Sequence, residues 1–252
     1  MATLLADYLL YLAFLTNKLN GFFEKQSPYI FCKKGCSKCC ENGEYPFSEL
    51  EYNFIMIGFS KLAPEVREEI LNKVKKIKAE KEKYINAAKQ LYSGKLKVES
   101  GKLEAAKQLG SEVTKLDNSK ISQTQQTDKN LSTLQPFNLS TKTNFTYECP
   151  FLINHECSVY EFRGIICRSF GLMTINPDGL SKIPFCAFEG LNYSNVMEPE
   201  TGIISTEKYK KLGENIPEPL AFNVGYKFLT SENIEENFKI HFGDKKALID
   251  WF

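Results

Sequence analysis

The sequence predicts a mainly α-helical single domain with a small, irregular β-containing block, organised around a cysteine-rich metal centre. Three observations carry that expectation. Apolar residues recur at three- and four-residue steps over most of residues 3–91, the mark of amphipathic helices. From residue 147 the pattern changes to short apolar runs broken by Asn, Gly and Pro, too brief for anything but small strands and turns. Finally, the eight cysteines fall into two groups. Cys32, Cys36, Cys39 and Cys40 lie within nine residues, and Cys149, Cys157, Cys167 and Cys186 follow a gap of more than a hundred.

Composition supports a packed core: 42% of the 252 residues are hydrophobic and 13% aromatic. A net charge of +1 supplies no field that would draw nucleic acid or an anionic membrane, so neither is expected as a partner. The apolar run Leu4 to Leu15 has no Lys or Arg before Lys18, as a signal peptide would require, and Asp7 interrupts it. It is also shorter than the roughly 20 residues that span a bilayer. The expected location is cytoplasmic, with reduced thiols.

Residues 3–23 read as a helix whose stripe of Leu5, Tyr8, Leu12, Leu15, Leu19 and Phe22 packs into a core, with a left-handed stop at Asn20-Gly21. The apolar run Tyr29-Ile30-Phe31 then delivers Cys32, and Gly35 supplies the positive φ that a tight ligand loop requires. Ser48-Glu49-Leu50-Glu51 forms a capping box, opening a helix that buries Leu50, Phe54 and Ile57. Pro64 suits the first turn of the next helix, over 64–91. Beyond it, the segment Ala87-Ala88-Lys89-Gln90-Leu91 recurs as Ala105-Ala106-Lys107-Gln108-Leu109, a local duplication too short for a solenoid. Residues 110–146 are rich in Ser, Thr, Gln, Asn and Lys without a sustained period. The expected organisation is therefore 1–92 with the first helices and cysteine cluster, 93–145 as a disordered low-complexity insertion, and 146–252 joining 1–92 in one domain.

In that last part, Cys149 to Tyr160 reads as two extended pieces around a turn at Asn154-His155, and Asn176-Pro177-Asp178-Gly179 marks a second turn. Helices are expected over 203–213 and 231–241, and Trp251-Phe252 is expected to pack back onto the body.

The residues themselves leave several chemistries open. Thiolates bind metal, and zinc takes four of them tetrahedrally, usually as two short-spaced pairs. Iron–sulfur clusters are often held by a tight cysteine run with a remote partner. The vicinal pair Cys39-Cys40 fits a lone tetrahedral ion poorly, because adjacent side chains diverge. Two metal atoms of one cluster, or two neighbouring sites, suit it better. A disulfide framework or buried core cysteines are the remaining alternatives. Around the second group, Arg163 and Arg168 can face an anionic ligand or pair with Glu161, Tyr160 reads as a core ring, His155 as exposed on its turn, and His241 as incidental. No Ser/His/Asp arrangement, phosphate loop or paired-carboxylate site is present, and no catalytic residue is assigned.

Two families are resembled. Cys32-x3-Cys36-x2-Cys39 is similar to the radical SAM cluster motif, yet Lys38 stands where an aromatic is usual and no alternation of strands and helices follows. A fuller resemblance runs through Cys32-x3-Cys36-x2-Cys39-Cys40, Cys149-Pro150-Phe151-Leu152, Cys157-Ser158-Val159-Tyr160 and Arg163-x3-Cys167-Arg168-Ser169-Phe170. This combination resembles the YkgJ-type cysteine-cluster family, described as zinc- or iron-chelating domains, departing from it at Gly164, where proline is usual. The resemblance implies metal binding by Cys32, Cys36, Cys39, Cys40, Cys149, Cys157, Cys167 and Cys186, with an iron–sulfur cluster or Zn2+ as cofactor. One branch resembles flagellin lysine N-methylase, which implies SAM-dependent methyl transfer to a protein substrate. No glycine-rich SAM loop supports that step here.

Overall fold

The computed structural model describes residues 2–33, 35–110, 145–176 and 178–252. Two compact units are present, Met1–Lys78 with Thr146–Phe252, and Ala79–Phe145. The first contains all eight cysteines.

Helix α1 (Ala2–Lys25) carries the expected stripe inward: Tyr8, Leu12, Leu15 and Leu19 are buried, and Tyr11 joins them. The helix runs through Asn20-Gly21 rather than stopping there. Nothing lies within 4 Å of the Gly21 Cβ position, and one helical glycine costs only about 1 kcal/mol against the packing on either side. The outward face still shows Leu9, Leu10 and Phe14.

A 3₁₀ turn over Ser27–Tyr29 leads to the cysteine loop and the single turn α2 (Lys38–Glu41). Strand β1 (Pro46–Ser48) follows, then α3 (Glu49–Ser60), whose capping box is complete: Ser48 Oγ accepts from the Glu51 backbone N–H, and the Glu51 carboxylate accepts from the Ser48 N–H. Helix α4 (Pro64–Gly110) starts at the expected proline but continues past 91. Residues 93–110, expected to be unstructured, are helical in this structure. The repeated Ala-Ala-Lys-Gln-Leu segment consists of strong helix formers, and Gly94 and Gly101 subtract little from it. The rest of the expected insertion, 111–144, lies outside the described residues.

In the second half, β2 (Leu152–Ile153) and β3 (Glu156–Cys157) form an antiparallel hairpin, with Asn154 and His155 at φ of 49° and 63° in the turn. Helix α5 (Ile165–Ser169), the hairpins β4 (Thr174–Ile175) with β5 (Ser181–Lys182) and β6 (Met197–Glu198) with β7 (Ile203–Ile204), and helix α6 (Thr206–Lys211) come next. They are followed by α7 (Tyr226–Leu229), α8 (Glu232–Phe238) and β8 (Lys245–Ala247). The expected helices at 203–213 and 231–241 are thus both shorter, since Ile203–Ile204 is drawn into a strand and Lys239 ends α8 in the left-handed region.

Among the clusters of buried residues that pack this unit are a larger and a smaller one. The larger packs α1 and α3 against α5 and the C-terminal segments through Tyr8, Leu15, Phe54, Ile165 and Phe242. The smaller gathers Tyr29, Met173, Tyr193, Val196 and Met197. Strand β8 returns to pair with β1, Pro46 facing Ala247, and Trp251 donates from its indole to the Phe47 carbonyl at 3.0 Å while stacking on Tyr52. Among the described residues, no helix is long and apolar enough to cross a membrane.

Candidate metal centre

Backbone pairing brings the two cysteine groups together despite their separation in sequence. Gly43 and Tyr147 exchange both backbone hydrogen bonds, and the Cys149 N–H donates to the Cys40 carbonyl at 2.7 Å. On the other side of the loop, buried Asn192 accepts through Oδ1 from the Phe31 and Cys32 N–H groups and donates through Nδ2 to the Gly171 carbonyl. Asn192 follows directly on Leu191, whose N–H donates to the Cys186 carbonyl. Gly35 takes φ +91°, the left-handed turn that lets Cys36 double back towards Cys32. Buried Tyr45 donates to the Cys39 carbonyl from beneath.

Cys167 is placed by a longer chain of contacts. It sits on α5, and the first free N–H of that helix, from Ile165, donates to Glu51 Oε1 at 2.7 Å. Glu51 is fully buried and also accepts from Ser48 Oγ and the Tyr226 hydroxyl. Burial raises its carboxyl group, while these hydrogen bonds pull it back down.

The result is a cavity of about 240 Å³ lined by Cys36, Cys39, Cys40, Cys149, Cys157 and Cys167, with Arg163 at its side and the exposed His155, Glu156 and Tyr160 at its mouth. Six of the eight expected ligands therefore share one space. Cys186 lines a neighbouring cavity together with Cys39, and Cys32, which lines neither cavity, is exposed. All eight are free cysteines, so the disulfide alternative finds no bridge here.

Six of the thiols are pushed above the usual cysteine range. Burial raises Cys149, Cys157 and Cys167. It takes Cys186 up to about 11 and, with the Cys36 thiol adding to it, Cys32 up to about 12, although the Cys32 side chain is exposed. For Cys39 the hydrogen bond to Cys40, Sγ to Sγ at 3.9 Å, outweighs burial as the cause. Arg163 opposes the rise at Cys39, Cys157 and Cys167, which makes it the cation facing the thiols. Its guanidinium lies 3.8 Å from the Tyr160 ring centroid. Tyr160 is thus an exposed partner of Arg163 and not the core ring expected. Arg168 binds the Arg163 and Glu161 carbonyls and Thr16, so it braces α5 instead of facing the cavity. His241 pairs with Glu235 away from the site.

The donor set is that of a soft metal, but its spacing is wide. Among the described residues no group of three or more His, Cys, Asp or Glu stands close enough together to hold a metal ion. A zinc ion with 2.3 Å bonds needs four sulfurs about 3.8 Å apart, a spacing that the vicinal pair approaches at 3.9 Å, so its side chains do not diverge as expected. Thiols set around a cavity match a multinuclear cluster better than a bare ion. A lone ion would require several cysteines to change their χ1 rotamer. Two residues that support the site, Asn192 and Tyr226, went unseen in the sequence, because the Cys32 loop and Glu51 that they bind are 160 or more residues away and no local pattern announces them.

No family model matches the chain, and no curated protein or solved structure matches it. The likeness to the YkgJ-type family accordingly rests on the cysteine motifs quoted above.

Proposed function

We propose that this protein is a thiolate metal-binding protein, with an iron–sulfur centre as the first reading and zinc as the alternative. The observation that carries it is the single cavity lined by six free cysteines drawn from segments more than a hundred residues apart. Burying that many thiols in one place gains little as core packing. Bringing a cation among them converts them to thiolates, the form that burial disfavours at Cys149, Cys157 and Cys167. Arg163 favours the same ionised form. The reducing cytoplasm is the compartment that keeps such a set available.

The cavity opens past His155, Glu156 and Tyr160, so a partner molecule can approach the centre. That opening, with the motif resemblance, supports modification of a protein side chain, such as lysine N-methylation, as the activity to assay. The non-enzymatic reading, a structural or sequestered metal, uses the same ligands.

Anaerobic purification followed by iron, zinc and acid-labile sulfide analysis tests the proposal. Stoichiometric iron and sulfide are the expected result. Stoichiometric zinc would select the alternative, and a metal-free protein that takes up neither metal overturns both. A SAM titration tests the methylase reading, which fails if no binding is detected at millimolar ligand.

A further inference from the structure

A further cavity of the cysteine unit, of about 380 Å³, lies between α1 and the segment that carries α7 and α8, and it shares no residue with the cavity of the six thiols. On the α1 side its wall is Tyr11, Phe14, Leu15, Lys18, Leu19 and Phe22, which recur at three and four residues and so share one face of the helix. Tyr11, Leu15 and Leu19 are buried, as are Val224 and Leu229 across from them, whereas Phe14 and Phe228 are 49% and 41% exposed at its edges. Apolar walls around a space of this size, with a few polar groups among them, are the build of a small-molecule pocket.

The charges around this cavity are sorted. Helix α8 contributes Asn233, Ile234, Asn237 and Phe238 to the wall, while its acidic residues, Glu232, Glu235 and Glu236, stay out of it. Lys18 is therefore the one charged residue that lines the space. Its ammonium group lies 5.8 Å from the Phe14 ring centroid and 6.0 Å from that of Phe22, the outer limit of a cation–π contact. The ion pairs among the described residues do not include it. The remaining polar side chains are the exposed amides of Asn223, Asn233 and Asn237, and the Tyr11 hydroxyl, which is already committed to the Leu229 carbonyl at 2.6 Å.

We propose that this cavity binds an aliphatic carboxylate of medium chain length, the carboxylate paired with Lys18 and the chain laid along α1 towards Tyr11. The proposal is independent of the metal-binding reading. Tyr11 is seven residues from Lys18, roughly 10 Å of helix, which gives a single alkyl chain its path. The same volume is too small to admit a partner's helix, itself about 10 Å across. An apolar wall with one unpaired cation also selects the head group. An alcohol would bury the same chain but leave the ammonium unpaired, and an amine would be repelled by it.

The test follows, by fluorescence, the displacement of a dansyl-labelled undecanoate from the full chain by decanoate, decanol and decylamine. Decanoate should displace the probe, decanol should bind about fivefold more weakly, as befits an ion pair near the surface, and decylamine more weakly still. Lys18→Ala should weaken decanoate about fivefold and leave decanol unchanged, and Lys18→Glu should invert the order so that decylamine binds best. Lys18 is exposed, so both variants are expected to fold, which circular dichroism checks. Asn237→Trp, at another exposed position of the wall, should block all three ligands. No displacement by millimolar decanoate, equal binding of decanoate and decanol, or unchanged decanoate binding in Lys18→Glu overturns the proposal. A chain that sediments as a dimer and becomes monomeric in Asn237→Trp overturns it too, since the cavity then belongs to a second copy.

Discussion

Two buried polar side chains matter most at the scale of single residues. Glu51 accepts from four donors, Ser48 N–H, Ser48 Oγ, Ile165 N–H and the Tyr226 hydroxyl, and so joins α3, α5 and α7 at one point. Removing the carboxylate leaves those donors buried, at about 1–3 kcal/mol for each that finds no new partner. Glu51→Ala is expected to lower stability by about 3 kcal/mol or more, read as a reduced urea midpoint, with Glu51→Gln falling between it and wild type. Asn192→Ala strips acceptors from Phe31 and Cys32 and a donor from Gly171, and should cost about 2 kcal/mol in the same measurement. It should also raise the alkylation rate of Cys32, because the loop is no longer anchored. Glu51 was half legible in the sequence. Its partnership with Ser48 is a local three-residue pattern, whereas its reach to Ile165 and Tyr226 is not. Asn192 was not legible, since a lone asparagine in a loop looks the same whether it faces water or three backbone groups.

Gly164 offers a sharp test at the scale of elements. Its φ of −65° and ψ of 168° suit the proline expected from the motif resemblance. A Cβ there, however, would lie 2.6 Å from Cζ of the buried Phe47 ring and 3.0 Å from Glu51 Oε1. Both Gly164→Ala and Gly164→Pro are therefore expected to destabilise the protein, by about 1–3 kcal/mol, where backbone considerations alone predict a gain. A thermal melt decides the sign. Local signals read well wherever the deciding partners were close in sequence: the capping box of α3, the proline that opens α4, the Asn154-His155 turn and the α1 stripe all match the expectation. They failed at the ends of elements. Gly21 did not stop α1, where packing outweighed one glycine, and α4 outran its expected end, where helix propensity outweighed Gly94 and Gly101.

At the scale of the whole molecule, the cysteine unit is built from two stretches of chain with Ala79–Phe145 inserted between them. Lys73 near the start of α4 contacts Glu148 at 2.6 Å, so the two stretches already stand side by side. Replacing 79–145 by a short Gly/Ser linker is expected to leave the circular dichroism melt of the remaining unit and its metal content unchanged. Loss of metal would show that the insertion contributes to the site. The convergence of the two cysteine groups was legible as an expectation. The pairing that achieves it, Gly43 with Tyr147 and Cys40 with Cys149, was not, because it links residues about a hundred positions apart with no motif at either end.

That separation sets a schedule for biosynthesis. At the usual 5–20 residues per second, on the order of 10 s passes between the emergence of Cys40 and that of Cys149 from the ribosome. Strand β8, which pairs with β1 beside the first cysteine cluster, follows later still. During that interval Cys32, Cys36, Cys39 and Cys40 are a nascent four-thiol loop without their fold partners, exposed to oxidants and to any soft metal in the cell. On the metal-binding reading proposed above, loading is a matter of timing as well as affinity, and translation speed across the insertion sets how long the half-made site waits.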